Sequence, residues 1–560
     1  MMRLSRLLAF PLAVAAACAG AQSLPDLRND AATPGDVTTY GMGWAQQRHT
    51  SLSQITPGNV KNLVPVWNLS LDNSANASSQ PLLIGGVMYV ATHSHTLAVD
   101  PVSGRQLWKV PVDLPADING FLCCGIQSRG LAALDGVLYR TTLDAHVVAL
   151  SMKDGKPIWK QKAADYKQGY SMTHAPLIAG GVLITGISGG EYGTRGFLNA
   201  WDLKTGEKKW HRWTTASGGD KGADTWKPGM AETGGGPTWL TGTYDPDLNL
   251  VYWGTGNGAP WNAAMRGGDS LYIGSVLALR PATGEVVWHY QYSPGDPFDY
   301  DGVNEPVLAD IPGLGSGKVL MQANRNGFFY VLDRTNGKLL SGQQFARTVN
   351  WATGIDMASG RPVETQLTKD VKKDGAAGRE VEVWPSAYGG KNWMPMSYDP
   401  QRKLAFFNTV DLGMKVKYVE QKRPGGPNWW LGLELAGFVA PSDGNRGSVV
   451  AWDPVAGRKV WEVRLKSPNW AGVLSTASGL VFTGTQTGQF KAYDAKDGKE
   501  LWSFQTGSGI SGLPIAWEKD GRTYVTIMSG AATVYGALAG DPELANVPAG
   551  SSLWTFALPR

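Results

Sequence analysis

Trp201-Asp202-Leu-Lys-Thr-Gly206-Glu-Lys-Lys-Trp210 reads as a strand end, an Asp-to-Gly turn and a tryptophan in the strand that follows. The pattern also stands at Val99-Asp100-Pro-Val-Ser-Gly104-Arg-Gln-Leu-Trp108 and Leu150-Ser-Met-Lys-Asp154-Gly155-Lys-Pro-Ile-Trp159. It returns at Ala282-Thr283-Gly284 with Trp288, Val455-Ala456-Gly457 with Trp461, and Lys496-Asp497-Gly498 with Trp502. A degenerate copy, Leu332-Asp333-Arg334-Thr335-Asn336-Gly337, has Ser341 in the tryptophan's place. The interval is 51 residues from Trp108 to Trp159 and from Trp159 to Trp210, and 41 from Trp461 to Trp502. One four-stranded propeller blade takes roughly 40–50 residues. Runs such as Gly479-Leu-Val-Phe-Thr-Gly484 and Gln489-Phe-Lys-Ala-Tyr-Asp494 are expected to be half-buried strands, and hardly any stretch has a sustained helical period. A unit this small cannot bury its own faces, so about eight of them closed into a ring is the expected arrangement. The fold predicted is all-β: an eight-bladed β-propeller with tryptophan-docking repeats, its indoles wedged between neighbouring blades in a structural role.

Residues 1–21 read as a secretory signal, with Arg3 and Arg6, an apolar run from Leu7 to Cys18, and Ala19-Gly20-Ala21 for a peptidase. The expected address is therefore the periplasm, with residues 22–560 as one propeller domain. No later stretch approaches the ~18 apolar residues of a membrane span. Losing Arg3 and Arg6 lowers the formal net charge from +4 to +2, which implies neither nucleic acid nor an anionic membrane as a partner. Two insertions, 361–381 and 421–446, exceed hairpin turns; long loops on one propeller face commonly form its mouth.

Several chemical signals are absent. There is no Cys-x-x-Cys-His for covalent haem and no His-Glu-x-x-His for zinc, and the seven histidines form no ligand spacing. Gly186-Ile-Ser188-Gly-Gly190 fits the nucleophile-elbow pattern, but Phe197-Leu-Asn-Ala-Trp201 after it reads as a strand where that motif needs a helix. What remains is oxygen-rich: Glu191 in Ser188-Gly-Gly-Glu191-Tyr-Gly, Asn257 in Trp253-Gly-Thr-Gly-Asn257, and Asp299 and Asp301 in Asp299-Tyr-Asp301-Gly-Val-Asn-Glu305. Each alone reads as a turn residue. Together they offer three carboxylates and an amide, which suits a hard cation and not zinc or copper. Cys123 and Cys124 are adjacent and read either as two buried thiols or as a bridge. Consecutive Cα atoms lie ~3.8 Å apart against the ~4.4–6.8 Å usual for a disulfide, so a bridge would be strained, as functional sites sometimes are.

These motifs, in this order over nearly all of residues 22–560, resemble the pyrroloquinoline quinone (PQQ) dependent, or quinoprotein, methanol/ethanol dehydrogenase family. They are Cys123-Cys124-x-x-x-x-Arg129-Gly, Ser188-Gly-Gly-Glu191-Tyr-Gly, Trp253-Gly-Thr-Gly-Asn257 with Pro260-Trp261-Asn262, Asp299-Tyr-Asp301-Gly-Val-Asn-Glu305, and the tryptophan repeat. The resemblance implies PQQ on the propeller axis between a Cys123–Cys124 disulfide and the indole of Trp239. It places Arg129, Thr173, Ser188, Gly189, Gly190, Arg325, Asn392, Trp393 and Trp470 around the quinone. It makes Glu191, Asn257 and Asp299 metal ligands, Asp299 also the base, and Arg325 the partner of the reactive carbonyl.

Asp301 selects a branch, because calcium-using relatives tend to carry a small residue two places after the base and lanthanide-using ones a second Asp. A third carboxylate brings the shell to −3, which suits a trivalent ion. With Asp165-Tyr-Lys-Gln-Gly-Tyr-Ser-Met-Thr173, the chain looks closest to the lanthanide-dependent broad-range alcohol dehydrogenases. Ser78 and Pro237 depart from the family's glutamate and threonine. The implied function is a periplasmic alcohol dehydrogenase that oxidises primary alcohols, with aldehydes as a second substrate class, and passes electrons to a soluble cytochrome c. A homodimer is compatible with the resemblance, and the sequence sets no oligomeric state. Two alternatives are the same enzyme with Ca2+ and a non-catalytic propeller scaffold for outer-membrane protein assembly, which shares the repeat.

Overall fold

The computed structural model describes residues 27–28, 33–72, 76–426, 428–530 and 540–560; the signal read over residues 1–21 lies outside them. Among the described residues, eight sheets carry four antiparallel strands each, one of them extended by the parallel strand His49–Thr50. The protein is all-β. Each sheet grades from buried inner strands to a half-exposed outer one. Phe197–Trp201 is buried along its whole length, whereas the outer strand Lys208–Trp213 alternates between exposed and partly buried residues. The expectation of half-buried strands therefore holds for outer strands and fails for inner ones. Leu480–Gly484 is buried on both faces: Leu480 and Phe482 join one apolar cluster and Val481 another. Neighbouring sheets cover both faces, so alternation is lost.

The tryptophan repeat has a defined seat. In the turn at Asp202, the carboxylate accepts from Lys204 N (3.0 Å) and Thr205 N (2.9 Å), and Gly206 N donates to Asp202 O. Gly206 has φ +72°, and a Cβ there would lie 2.7 Å from Trp159 of the preceding sheet. Gly104 seats Trp67, Gly155 Trp108, Gly284 Trp210, Gly337 Trp288 and Gly498 Trp461 in the same way. The indole N–H usually donates to a carbonyl beside the seat, as Trp159 Nε1 does to Leu203 O (3.2 Å). Burying an indole removes ~150–250 Å² from water, on the order of 4–6 kcal/mol as an upper bound, against ~1 kcal/mol for one hydrogen bond. Ring packing dominates. Trp288 agrees, since its Nε1 has no partner and its ring is seated all the same. Where Ser341 replaces the tryptophan, Gln343 fills the seat at Gly457.

Gly206→Ala tests this seat. It places Ala at positive φ and against the Trp159 ring, for an expected loss of about 2–4 kcal/mol, read as a lowered urea midpoint. Gly86→Ala is the control, with φ +77° and nothing within 4 Å of the added carbon, and its loss should be the smaller of the two.

The first long strand, Val64–Ser70, pairs antiparallel with the last, Ser551–Ala557, and completes a sheet whose other members are Ile515–Lys519 and Arg522–Gly530. The expected insertion at 361–381 contains a nine-residue helix, Gln366–Asp374, which buries Thr368 and Val371. One buried face over so few residues gives no visible period. In the second insertion, Leu433–Val439 pairs with Gly413–Tyr418.

Candidate active site

In a four-stranded up-and-down sheet, the crossover to the next sheet and the hairpin between the second and third strands leave at one end. The Asp-to-Gly turns lie at the other. The predicted chemical residues occupy the first end. Cys123, Cys124 and Arg129 follow the outer strand Gln106–Pro111, Thr173 follows Pro157–Lys162, Trp239 follows Lys208–Trp213, and Asp299 and Asp301 follow Val286–Gln291. Glu191 lies between Val182–Thr185 and Phe197–Trp201, and Arg325 between Lys318–Ala323 and Phe328–Asp333. After Ser188 comes a single turn, Gly190–Tyr192, and then a strand, so the nucleophile elbow is not formed.

These loops enclose a cavity of about 200 Å³, lined by Cys123, Cys124, Arg129, Thr173, Ser188, Gly189, Glu191, Trp239, Asp299, Asp301, Arg325 and Asn392. Three predicted cofactor residues stand behind its wall. Gly190 packs on Asn257, Trp393 lies under the Arg129 guanidinium (4.9 Å), and Trp470 meets the ring of Tyr388 edge-on (5.7 Å). Cys123 and Cys124, with Cα atoms 3.8 Å apart, have bonded sulfurs in this structure. Trp239 lies beside two guanidinium groups, Arg129 at 5.0 Å and Arg325 at 5.5 Å from its ring centre. Arg129 also donates to Thr173 Oγ1 and Gln127 Oε1. Of the two departures, Ser78 is fully buried, and Pro237 packs against the backbone of Gly190 and Gly256.

The acidic centre is compact. Arg325 Nη1 donates to Asp299 Oδ2 (2.8 Å) and Nη2 lies 3.2 Å from Asp301 Oδ2, which also accepts from Trp239 Nε1 (2.9 Å). The other oxygens, Asp299 Oδ1 and Asp301 Oδ1, are buried without a hydrogen-bond partner, as is Asn257 Oδ1. Two glycines make room for them: a Cβ on Gly190 would lie 2.7 Å from Asn257 Oδ1, and one on Gly256 2.7 Å from Asp301 Oδ1. Asp299 has φ +66°, a conformation that costs an L-residue on the order of 1–3 kcal/mol and concentrates at functional sites. Burial, opposed by Arg325 and reinforced by Asp301 and Glu191, raises the Asp299 carboxyl well above the ordinary range. Glu191 keeps part of its surface on the cavity. Burial of the rest, with the nearby Asp301 charge, pushes its carboxyl up to about 7.

Among the described residues, no three His, Cys, Asp or Glu side chains close around one point as a metal cluster does. Three uncompensated carboxylates repel, and the Arg325 guanidinium holds two of them. The donor set nevertheless fits a hard cation: three buried oxygens lack a partner, and no sulfur or imidazole is among them.

Sequence reasoning missed the apolar wall. Trp429, Leu431, Leu433, Leu435 and Phe438, all from the second insertion, line the same cavity, with Tyr388 stacked on Phe438 (4.6 Å). The insertion's length marked the mouth, but nothing in its composition marked which residues turn inward. Trp430 N donates to Glu191 O (2.6 Å), which ties this wall to the acidic centre.

Residues 38–344 match the family described as "Glucose/ethanol/alcohol dehydrogenase, beta-propeller domain", and residues 445–555 the family "Outer membrane protein assembly factor BamB". The chain is similar to the quinoprotein alcohol dehydrogenase PedH of Pseudomonas putida, 39% identical over 579 residues that cover 98% of this chain and 95% of that protein. It is likewise similar to a quinoprotein ethanol dehydrogenase of Pseudomonas aeruginosa, 40% identical over 582 residues that cover 95% and 92%. A solved europium-containing methanol dehydrogenase superposes with a TM-score of 0.87 at 32% identity, over 94% of this chain and 98% of that one.

Proposed function

Because the chain belongs to the PQQ-dependent alcohol dehydrogenase family, we propose that it oxidises primary alcohols, with Asp299 as the base. The observation that carries this reading is the pairing of Asp299 Oδ1, buried and unpartnered, with Oδ2 held by Arg325, in one cavity with Cys123, Cys124 and Trp239. PQQ, when bound, supplies the two-electron acceptor for the hydride that leaves the alcohol carbon. Trp239 and a Cys123–Cys124 disulfide would flank it, and Arg129, Thr173, Ser188, Gly189 and Asn392 would hold its polar edge. Asp299 Oδ1 takes the hydroxyl proton; burial raises its carboxyl, with Arg325 opposing the rise, and a raised carboxyl makes a stronger base than an exposed aspartate. The apolar wall excludes water and receives the alcohol's carbon chain.

A cation held by Glu191, Asn257, Asp299 and Asp301 would supply Lewis acidity. The Asp301 charge supports a lanthanide over Ca2+. The absence of a haem motif supports delivery of electrons to a separate acceptor, a soluble cytochrome c. The charge and apolar pattern of residues 1–21 support a periplasmic location. Among the described residues no helix is long and apolar enough to cross a membrane. We further propose that the eight sheets are blades of one closed ring spanning residues 22–560, supported by the pairing of the first long strand with the last. The assembly-factor match covers repeat sequence and includes, of the predicted site residues, Trp470 alone.

Apoprotein supplied with PQQ and either lanthanum or calcium, assayed for dye-linked ethanol oxidation, tests the reading. Activity with lanthanum and little with calcium is expected. Equal activity with calcium removes the lanthanide assignment, and inactivity with both returns the scaffold.

A further inference from the structure

Behind the cavity, three charged side chains are sealed from solvent: Lys391, Glu305 and Arg48 are 0%, 4% and 1% exposed. Lys391 Nζ lies 3.1 Å from Glu305 Oε2 and also donates to Asn392 O (3.3 Å), and Glu305 Oε1 accepts from Met396 N (2.6 Å). Arg48, stacked on Tyr40 at 4.8 Å, adds a second positive charge within Glu305's field. A buried ion pair is a weak source of stability, because desolvation consumes much of the attraction, so its place in the chain matters more than its strength.

Glu305 ends the segment that begins at Asp299. Lys391 directly precedes Asn392 and directly follows two glycines that back Arg325. A Cβ on Gly389 would lie 2.7 Å from Arg325 Cα, and Gly390 N donates to Arg325 O (2.8 Å). Asn304 Nδ2 reaches Ala323 O (2.7 Å) at the start of the Arg325 turn. Three loops are thus joined at one buried charge pair.

We propose that the Glu305–Lys391 ion pair is a positioning element for alcohol oxidation: it sets the segment bearing Asp299 and Asp301 in register with the one that carries Asn392 and backs Arg325. The inference rests on the assignment of Asp299 and Arg325 above. Neither member touches substrate, so both act through the residues they place. A misplacement of about 1 Å at such a site can cost on the order of 10²-fold in rate.

The test compares Lys391→Met, Glu305→Gln, the E305Q/K391M double variant and Lys391→Arg, each loaded with PQQ and metal. The readouts are kcat and KM for ethanol, melting temperature, and PQQ affinity of the apoprotein by tryptophan fluorescence. Lys391→Met leaves Glu305 without its ion-pair partner and should lower both melting temperature and kcat. The double variant removes that charge and should regain most of the melting temperature. Its kcat should stay at least about 10-fold low with KM within roughly two-fold, and its PQQ affinity should be weakened. Lys391→Arg should recover most of kcat. A double variant with wild-type kcat and PQQ affinity overturns the proposal, as does a kcat loss that merely tracks melting temperature across the set. Should the Met variants not fold, Glu305→Asp and Glu305→Gln decide, and unchanged kcat in both overturns it. Wild-type protein that neither binds PQQ nor oxidises ethanol removes the underlying assignment, whereas active wild type beside an active double variant removes the positioning role alone.

Discussion

Asp299→Asn should lower kcat for ethanol by about 10²–10⁴-fold, the range a positioned general base supplies, with the melting temperature within a few degrees of wild type. Asparagine is the informative replacement. It tolerates the left-handed backbone that Asp299 adopts at φ +66°, whereas alanine would add strain to the loss of the carboxylate. It keeps the shape and one carbonyl oxygen for Arg325, which now bonds Asp299 Oδ2 at 2.8 Å, and removes the charge and the basic oxygen. Steady-state dye-linked assays on PQQ- and metal-loaded protein provide the measurement. A kcat within ten-fold of wild type would remove Asp299 from the role of base.

Asp301→Ala should weaken lanthanum binding by at least about 100-fold, the upper end of what even outer-shell substitutions cost a metal site, and abolish lanthanum-supported turnover. The carboxylate shell falls from −3 to −2, so the loss for calcium should be smaller. Calorimetric titration of apoprotein with each ion separates binding from turnover. Asp301 Oδ1 is buried without a partner, and Oδ2 is shared by Trp239 and Arg325, so the variant also frees the Trp239 N–H. Unchanged lanthanum affinity would show that Asp301 serves Trp239 and Arg325 and no cation.

The legible parts of the sequence were those written locally. Each Asp-to-Gly turn and the tryptophan after it fall within about ten residues, so the repeat could be counted before any sheet was seen. The seat of each indole was not legible, because Trp159 sits on Gly206 of the next sheet and not on a glycine of its own turn. Trp67 escaped for the same reason. Its strand belongs to the last sheet, and no Asp-to-Gly turn leads into it, yet it occupies Gly104 as its counterparts occupy theirs. At the cavity, Glu191, Asp299 and Asp301 were marked by chemistry and resemblance, but the pairing of both aspartates with Arg325 was not. A guanidinium in an Asn-Arg-Asn-Gly turn carries no sign of which carboxylates it will meet. Trp393 and Trp470 were placed around the quinone by resemblance, and the structure sets them one layer back.

The sheet built from Val64–Ser70 and three strands near the other terminus has a kinetic meaning. Its pairing spans almost the whole chain, so it carries the largest loop-closure entropy in the molecule and belongs among the last contacts to form. The seven sheets between can assemble in the order of the sequence, and with them every residue assigned to the acidic centre. A chain emerging from a ribosome would therefore hold the acidic centre before the last strand is made, with Trp67 and its strand waiting for residues 551–557. A nascent chain stalled before that strand is made would remain protease-sensitive at both free edges, and the appearance of resistance would time the clasp.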